Sequence, residues 1–182
     1  MIFIGLGAVI VVAAVAVGLA MALGGGGSAS ASLAAAGCTE QTYPSQGAKH
    51  ALELEEGFSY NSYPPTSGQH SPQPALWGIY DRPVPLTAST HNLEHGGVAV
   101  QYGKDVPQET IDEIRAWYEA DPAGLLVAPL RGNALADRVA LTAWTQLAVC
   151  PGFNQAAFDS FRDQYRFKGP ERLPAEVMQP GM

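Results

Sequence analysis

From Met1 to Leu23 the chain carries no charged side chain and reads MIFIGLGAVIVVAAVAVGLAMAL. An α-helix rises about 1.5 Å per residue, so about 20 apolar residues match a hydrocarbon core about 30 Å thick. Residues 1–23 are therefore expected to form a transmembrane helix or signal anchor, with the rest of the chain outside the cytoplasm. Two fates stand open. The run exceeds the usual apolar region of a signal peptide, about 7 to 15 residues, which favours a retained single-pass anchor in the cell membrane. The alternative is a cleaved signal, with its peptidase site among the small residues that follow. No Lys or Arg precedes the run to fix a cytoplasmic end. The orientation is argued instead from two cysteines that suit an oxidising compartment.

Gly, Ser and Ala dominate positions 24–36, a composition expected to give a flexible linker. What remains, residues 37–182, is the size of one extracytoplasmic globular domain. Its chemistry excludes one class of partner at once. A net charge of -7 provides no cluster of Lys and Arg with which to hold phosphates, so nucleic acid is not a partner. Ala35-Ala36-Gly37-Cys38 resembles a degraded lipoprotein box, but such a box should abut the apolar run. Cys150 is the only possible disulfide partner for Cys38, and a bridge between them would tie the start of the domain to its core.

Pro64, Pro65, Pro72, Pro74, Pro83 and Pro85 interrupt a stretch containing Tyr60, Tyr63, Trp77 and Tyr80. Proline fixes φ and removes a donor, so neither a long helix nor a central strand fits there. The aromatics point to an ordered loop rather than a disordered one. Val98–Tyr102 and Leu125–Ala128 read as strands. A longer strand is expected over 139–149, with Val139, Leu141, Ala143, Leu147 and Val149 on one face. Gly132-Asn133 provides turn chemistry for a hairpin between the last two strands.

Two main helices are expected. The first is capped at Asp105, buries Ile111, Ile114, Trp117 and Tyr118, and stops at Asp121-Pro122. The second is capped by Asn154, with Phe153 and Phe158 placed as a hydrophobic staple, and Gly169-Pro170 ends it. The fold class expected is α+β: a small, largely antiparallel sheet with these two helices packed on one face, preceded by the Pro-rich loop.

The densest polar cluster is His91-Asn92-Leu93-Glu94-His95, followed by Gly96-Gly97. Histidines four apart share one side of a helical turn and can grip one ion. On a strand they would stand about 13 Å apart, too far to do so. Ser89 and Thr90 before the cluster and the glycines after it fit one short turn capped at both ends. His70, in a Pro/Gly loop, can fold over that turn, and three imidazoles suit a copper or zinc ion. Glu94 is a candidate to orient or join the ligands. Met178 and Met182 are further candidates that would favour Cu(I). His50 is assigned no role.

The five residues also match H-x-x-E-H, a zinc hydrolase pattern, but that motif needs a helix through the histidines and a further carboxylate ligand. No nucleophile with its base and no phosphate loop occurs, so the chain reads as a binding module rather than an enzyme.

Three motifs in order, Tyr60-Asn61-Ser62-Tyr63-Pro64-Pro65-Thr66-Ser67-Gly68-Gln69-His70, Trp77 to Pro85, and His91 to Val98, resemble the bacterial family known as domain of unknown function 3105. The resemblance runs from about Cys38 to Pro170. It implies a single-span protein with its domain outside the membrane, and it carries no established activity to transfer. Together these readings lead to an expected membrane-tethered domain that handles or senses a copper or zinc ion through His70, His91 and His95. The competing expectation is a structural or interaction module of the bacterial cell envelope, with an envelope protein as partner and the histidines as internal braces.

Overall fold

The computed structural model describes residues 26–182. The expected membrane span, residues 1–23, lies outside them. Among the described residues no helix is long and apolar enough to cross a membrane. Residues 26–35, expected to belong to a flexible linker, instead form helix α1, Gly26–Ala35. The reason is burial: Leu33 is fully buried in the main core, among Phe158, Phe161 and Cys150.

The remaining elements in chain order are β1 (Thr39–Thr42), β2 (Gly78–Ile79), α2 (Leu86–Glu94), β3 (Val98–Tyr102), α3 (Gln108–Ala120), β4 (Leu125–Pro129), β5 (Val139–Ala143), β6 (Gln146–Cys150), α4 (Gln155–Tyr165) and a short 3-10 turn, Ala175–Val177. The six strands make one sheet in the order β1-β6-β5-β3-β4-β2. Pairing is antiparallel except where β4 runs parallel to β3 and to β2. The α+β class is thus observed.

Period-two alternation divides β3 between the two faces. Val98, Val100 and Tyr102 join a core with Ile114, Trp117, Tyr118, Phe158 and Phe161, which puts α1, α3 and α4 on one side. Ala99 turns the other way, with Ala128, Leu126 and Leu93 of α2. The sheet is therefore covered on both faces, not one. The Pro-rich segment helps to cover the second face, and Pro64 to His70 are all buried.

Two expectations about strands are corrected. Residues 139–149 are not one strand but two, β5 and β6, reversed at Trp144-Thr145, with Val139 opposite Cys150 and Ala143 opposite Gln146. A two-residue reversal swaps parity, so Ala148 and Cys150 share the face of Leu141 while Leu147 goes to the other. Nor do β4 and β5 form a hairpin; β3 lies between them.

Helix α4 starts as its sequence signals indicate: the Asn154 side chain accepts from Ala157 N, and the Phe153 and Phe158 rings lie 4.9 Å apart. Helix α3 begins later than expected, with Pro107 at its N-cap and no side-chain cap. The Cys38–Cys150 disulfide is formed and spans 112 residues.

Candidate metal centre

Four histidines and two glutamates converge at the C-terminal end of α2, brought there by α2, by a bridged pair of extended segments and by the stretch after α4. The first is α2 itself. It starts at Leu86, with Pro85 at its N-cap, so Ser89 and Thr90 lie inside it and their hydroxyls donate back to the Leu86 carbonyl at 3.0 and 2.8 Å. The cluster is therefore carried by a nine-residue helix rather than by a lone turn. The glycines close it as expected. Gly97 N donates to Asn92 O at 2.9 Å and Gly96 N to Leu93 O at 3.0 Å, a Schellman ending with Gly96 at φ +89°. Gly97 answers a second demand, since a Cβ there would collide with the Trp77 ring.

The second piece is a pair of extended segments. Lys49 O accepts from His70 N at 3.0 Å and His70 O from Ala51 N at 2.8 Å, an isolated parallel bridge that sets His50 beside His70. The third is the stretch after α4. Phe167 N, Glu171 N and Leu173 N donate to the carbonyls of Gly96, Glu94 and His95. These are carbonyls that a helix end leaves without partners, and their satisfaction carries Glu171 to His95.

The side chains form two groups that share His91. In the inner group, His50, His70, His91 and Glu94 present ligand atoms within 4.8 Å of one another. His70 Nε2 lies 2.9 Å, His50 Nε2 3.2 Å and His91 Nε2 4.0 Å from Glu94 Oε2. In the outer group, His91 Nε2 lies 3.0 Å from His95 Nε2, which is 3.4 Å from Glu171 Oε2. Ligands about 2.0–2.1 Å from a tetrahedral zinc stand about 3.3–3.4 Å apart, and the observed separations bracket that value.

Burial is graded: His70 is fully buried, the His91 and Glu94 side chains are 5% and 9% exposed, and those of His50 and Glu171 are 46% and 56% exposed.

Hydrogen bonding aims the lone pairs inward. His70 Nδ1 lies 2.8 Å from Gly68 O and His91 Nδ1 2.7 Å from Ser71 O. A carbonyl only accepts, so each Nδ1 carries a proton, and in the neutral form of either ring the bare nitrogen is Nε2. Burial, with smaller contributions from the neighbouring histidines, holds His91 below the usual imidazole range. His95 is lowered mainly by burial too, against the opposing pull of Glu171 and Glu94. At His70 a bare Nε2 would face a carboxylate oxygen at 2.9 Å, two acceptors in a nearly dry site. That is unfavourable unless a proton or a metal cation lies between them.

The sequence candidates are thus distributed. His70 and His91 meet in the inner group, His91 and His95 in the outer. Glu94 stands among the inner donors. Met178 is a fully buried core residue beside Gly124, and Met182 is 57% exposed with its carbonyl accepting from Trp77 N. His50 and Glu171 are additions that no local motif signals.

The H-x-x-E-H match has here both a helix through the histidines and a further carboxylate. Glu94 Oε2 lies 2.9 Å from His70 Nε2 and 3.2 Å from His50 Nε2, which places it among the inner donors. A separate concavity of about 540 Å³ between α3 and α4 is lined by Trp117, Asp121, Asp159 and Arg162. Three of its polar groups pair with one another: Trp117 Nε1 donates to Asp159 at 2.9 Å, and Arg162 reaches Asp159 at 3.1 Å.

Residues 37–177 match the model of the family described as Protein of unknown function (DUF3105). The chain belongs to the DUF3105 family. No curated protein and no solved structure matches it. The matched span of the DUF3105 domain contains every histidine and glutamate of both groups.

Proposed function

We propose that this DUF3105 protein is a membrane-tethered, extracytoplasmic domain that binds one divalent transition metal ion, Cu(II) or Zn(II), through His50, His70, His91 and Glu94. The observation that carries the proposal is the confrontation of His70 Nε2 with Glu94 Oε2, because Nδ1 of that ring is committed to Gly68 O. Three imidazoles and one carboxylate are borderline nitrogen and oxygen donors, which suit Zn(II) and Cu(II). With no thioether or thiolate assigned to the set, Cu(I) is disfavoured. Tethering is supported by the uncharged run 1–23, and the oxidising compartment by the Cys38–Cys150 bridge.

The test is metal content and affinity of the full chain purified without chelators. One ion per chain is expected, and His70→Ala should weaken binding by more than about 100-fold. A stoichiometry well below one, unchanged by His70→Ala, overturns the proposal.

A second reading takes the same 2.9 Å separation as an imidazolium–carboxylate hydrogen bond, making the histidines braces of an envelope interaction or structural module. It predicts that His70→Ala lowers stability and leaves metal content alone.

A further inference from the structure

We infer that the outer group, His91, His95 and Glu171, is a loading position from which the ion passes to the inner site along His91. The inference rests on the metal-binding reading above and adds a second, transient site. Its basis is that both groups need the same atom. His91 Nδ1 is held by Ser71 O, so only Nε2 has a lone pair to give, and one lone pair binds one ion. The two positions therefore exclude each other as full ligand sets. The chain holds one ion in one of two places rather than two ions at once.

Exposure marks the entry to the outer group at Glu171, while the inner set keeps one exposed ligand of its own in His50. Glu171, on the carbonyl-bonded segment after α4, is 56% exposed and carries the charge that attracts a cation from solvent. His95 is 13% exposed and His91 5%, while His70, beyond them, is fully buried. An ion captured by Glu171 and His95 meets His91 Nε2 only 3.0 Å from His95 Nε2. Transfer is a ligand exchange without redox change. The bonds to Glu171 Oε2 and His95 Nε2 break, those to Glu94 Oε2, His70 Nε2 and His50 Nε2 form, and the bond to His91 Nε2 is kept throughout. Retaining one bond spares the ion a fully hydrated intermediate. His50, 46% exposed, closes the inner set from its solvent side and is assigned to retention.

Stopped-flow transfer of Zn(II) from a chromophoric chelator to the metal-free full chain separates the two positions. Glu171→Gln and His95→Ala are expected to slow loading at least about tenfold while leaving equilibrium affinity within about threefold, because the ion ends elsewhere. His70→Ala should keep fast capture and lose affinity, and His50→Ala should speed release without slowing loading. Loading of Glu171→Gln at the wild-type rate overturns the relay, as does a loss of affinity in His95→Ala equal to that in His70→Ala. Slowing by His50→Ala alone also overturns it. A wild-type chain that takes up no ion overturns the metal reading and the relay together; a wild type that binds one ion while Glu171→Gln loads normally overturns the relay alone.

Discussion

Reducing the Cys38–Cys150 bridge removes a cross-link between residues 112 apart without altering the volume of the two sulfurs. In the chain-entropy description, closing a loop of n residues lowers the entropy of the unfolded chain by about 2.1 + 1.5R ln n cal/mol/K. For this bridge that is about 16 cal/mol/K, or about 4.8 kcal/mol at 25 °C. The folded side offers little to offset it: Cys150 is 1% exposed at the end of β6, and Cys38 packs against the same core between α1 and β1.

A loss of that size is a third or more of the total stability of an ordinary domain, about 5–15 kcal/mol. At about 2–4 °C per kcal/mol for a chain of this length, the melting temperature should fall by about 10–20 °C. Urea titration of oxidised and reduced full chain, followed by circular dichroism, measures the difference. The slope should be steeper for the reduced chain, whose unfolded ensemble is more open. A loss below about 2 kcal/mol with an unchanged slope would refute the entropic account.

Four further outcomes are expected. Gly97→Ala drives a Cβ into the Trp77 ring and should destabilise by about 1–3 kcal/mol in urea titration, whereas Gly152→Ala, whose Cβ would meet only Thr110 Cγ2 at 4.0 Å, should lose less. Asn154→Ala removes the acceptor for Ala157 N and should lower stability by about 1 kcal/mol, read from the same titration.

In the metal-free chain, His91 and His95 are held below the ordinary value of 6.5, so between their folded values and 6.5 the unfolded state binds more protons. Their contribution is present above 6.5 and lost as pH falls. The urea midpoint of the wild type should thus drop more steeply below that pH than that of His91→Gln. Because protons compete for the same lone pairs, Zn(II) affinity measured by chelator competition should also fall over this interval, and pH-independent affinity would contradict the ligand assignment.

Local signals carried much of the fold. Helices α3 and α4 announce themselves by an apolar stripe, and α4 by an asparagine cap, all within a dozen residues. Strands β3 and β4 are short apolar runs and lie where those runs are. The β5–β6 reversal escaped because Trp144-Thr145 is poor turn chemistry: Thr145 takes φ +63°, a conformation that sequence rules assign to Gly or Asn. Helix α2 was visible only as a turn, since LTASTHNLE has little apolar periodicity and its Ser and Thr suggest caps.

At the site, the spacing of His91 and His95 is legible because a helix enforces it. The arrival of His70 was readable only as a possibility of the Pro/Gly loop. His50 depends on a backbone bridge between segments twenty residues apart, and Glu171 on amides that satisfy the end of a distant helix. Neither arrangement leaves a mark on nearby residues.

The amides of Phe167, Glu171 and Leu173 that close the end of α2 also order events in time. The donor set draws on chain positions from 50 to 171, so a nascent or unfolded polypeptide offers only scattered imidazoles and grips no ion well. On the proposed metal-binding reading, acquisition waits until the domain is nearly finished, and the ion would report completed folding rather than nucleate it.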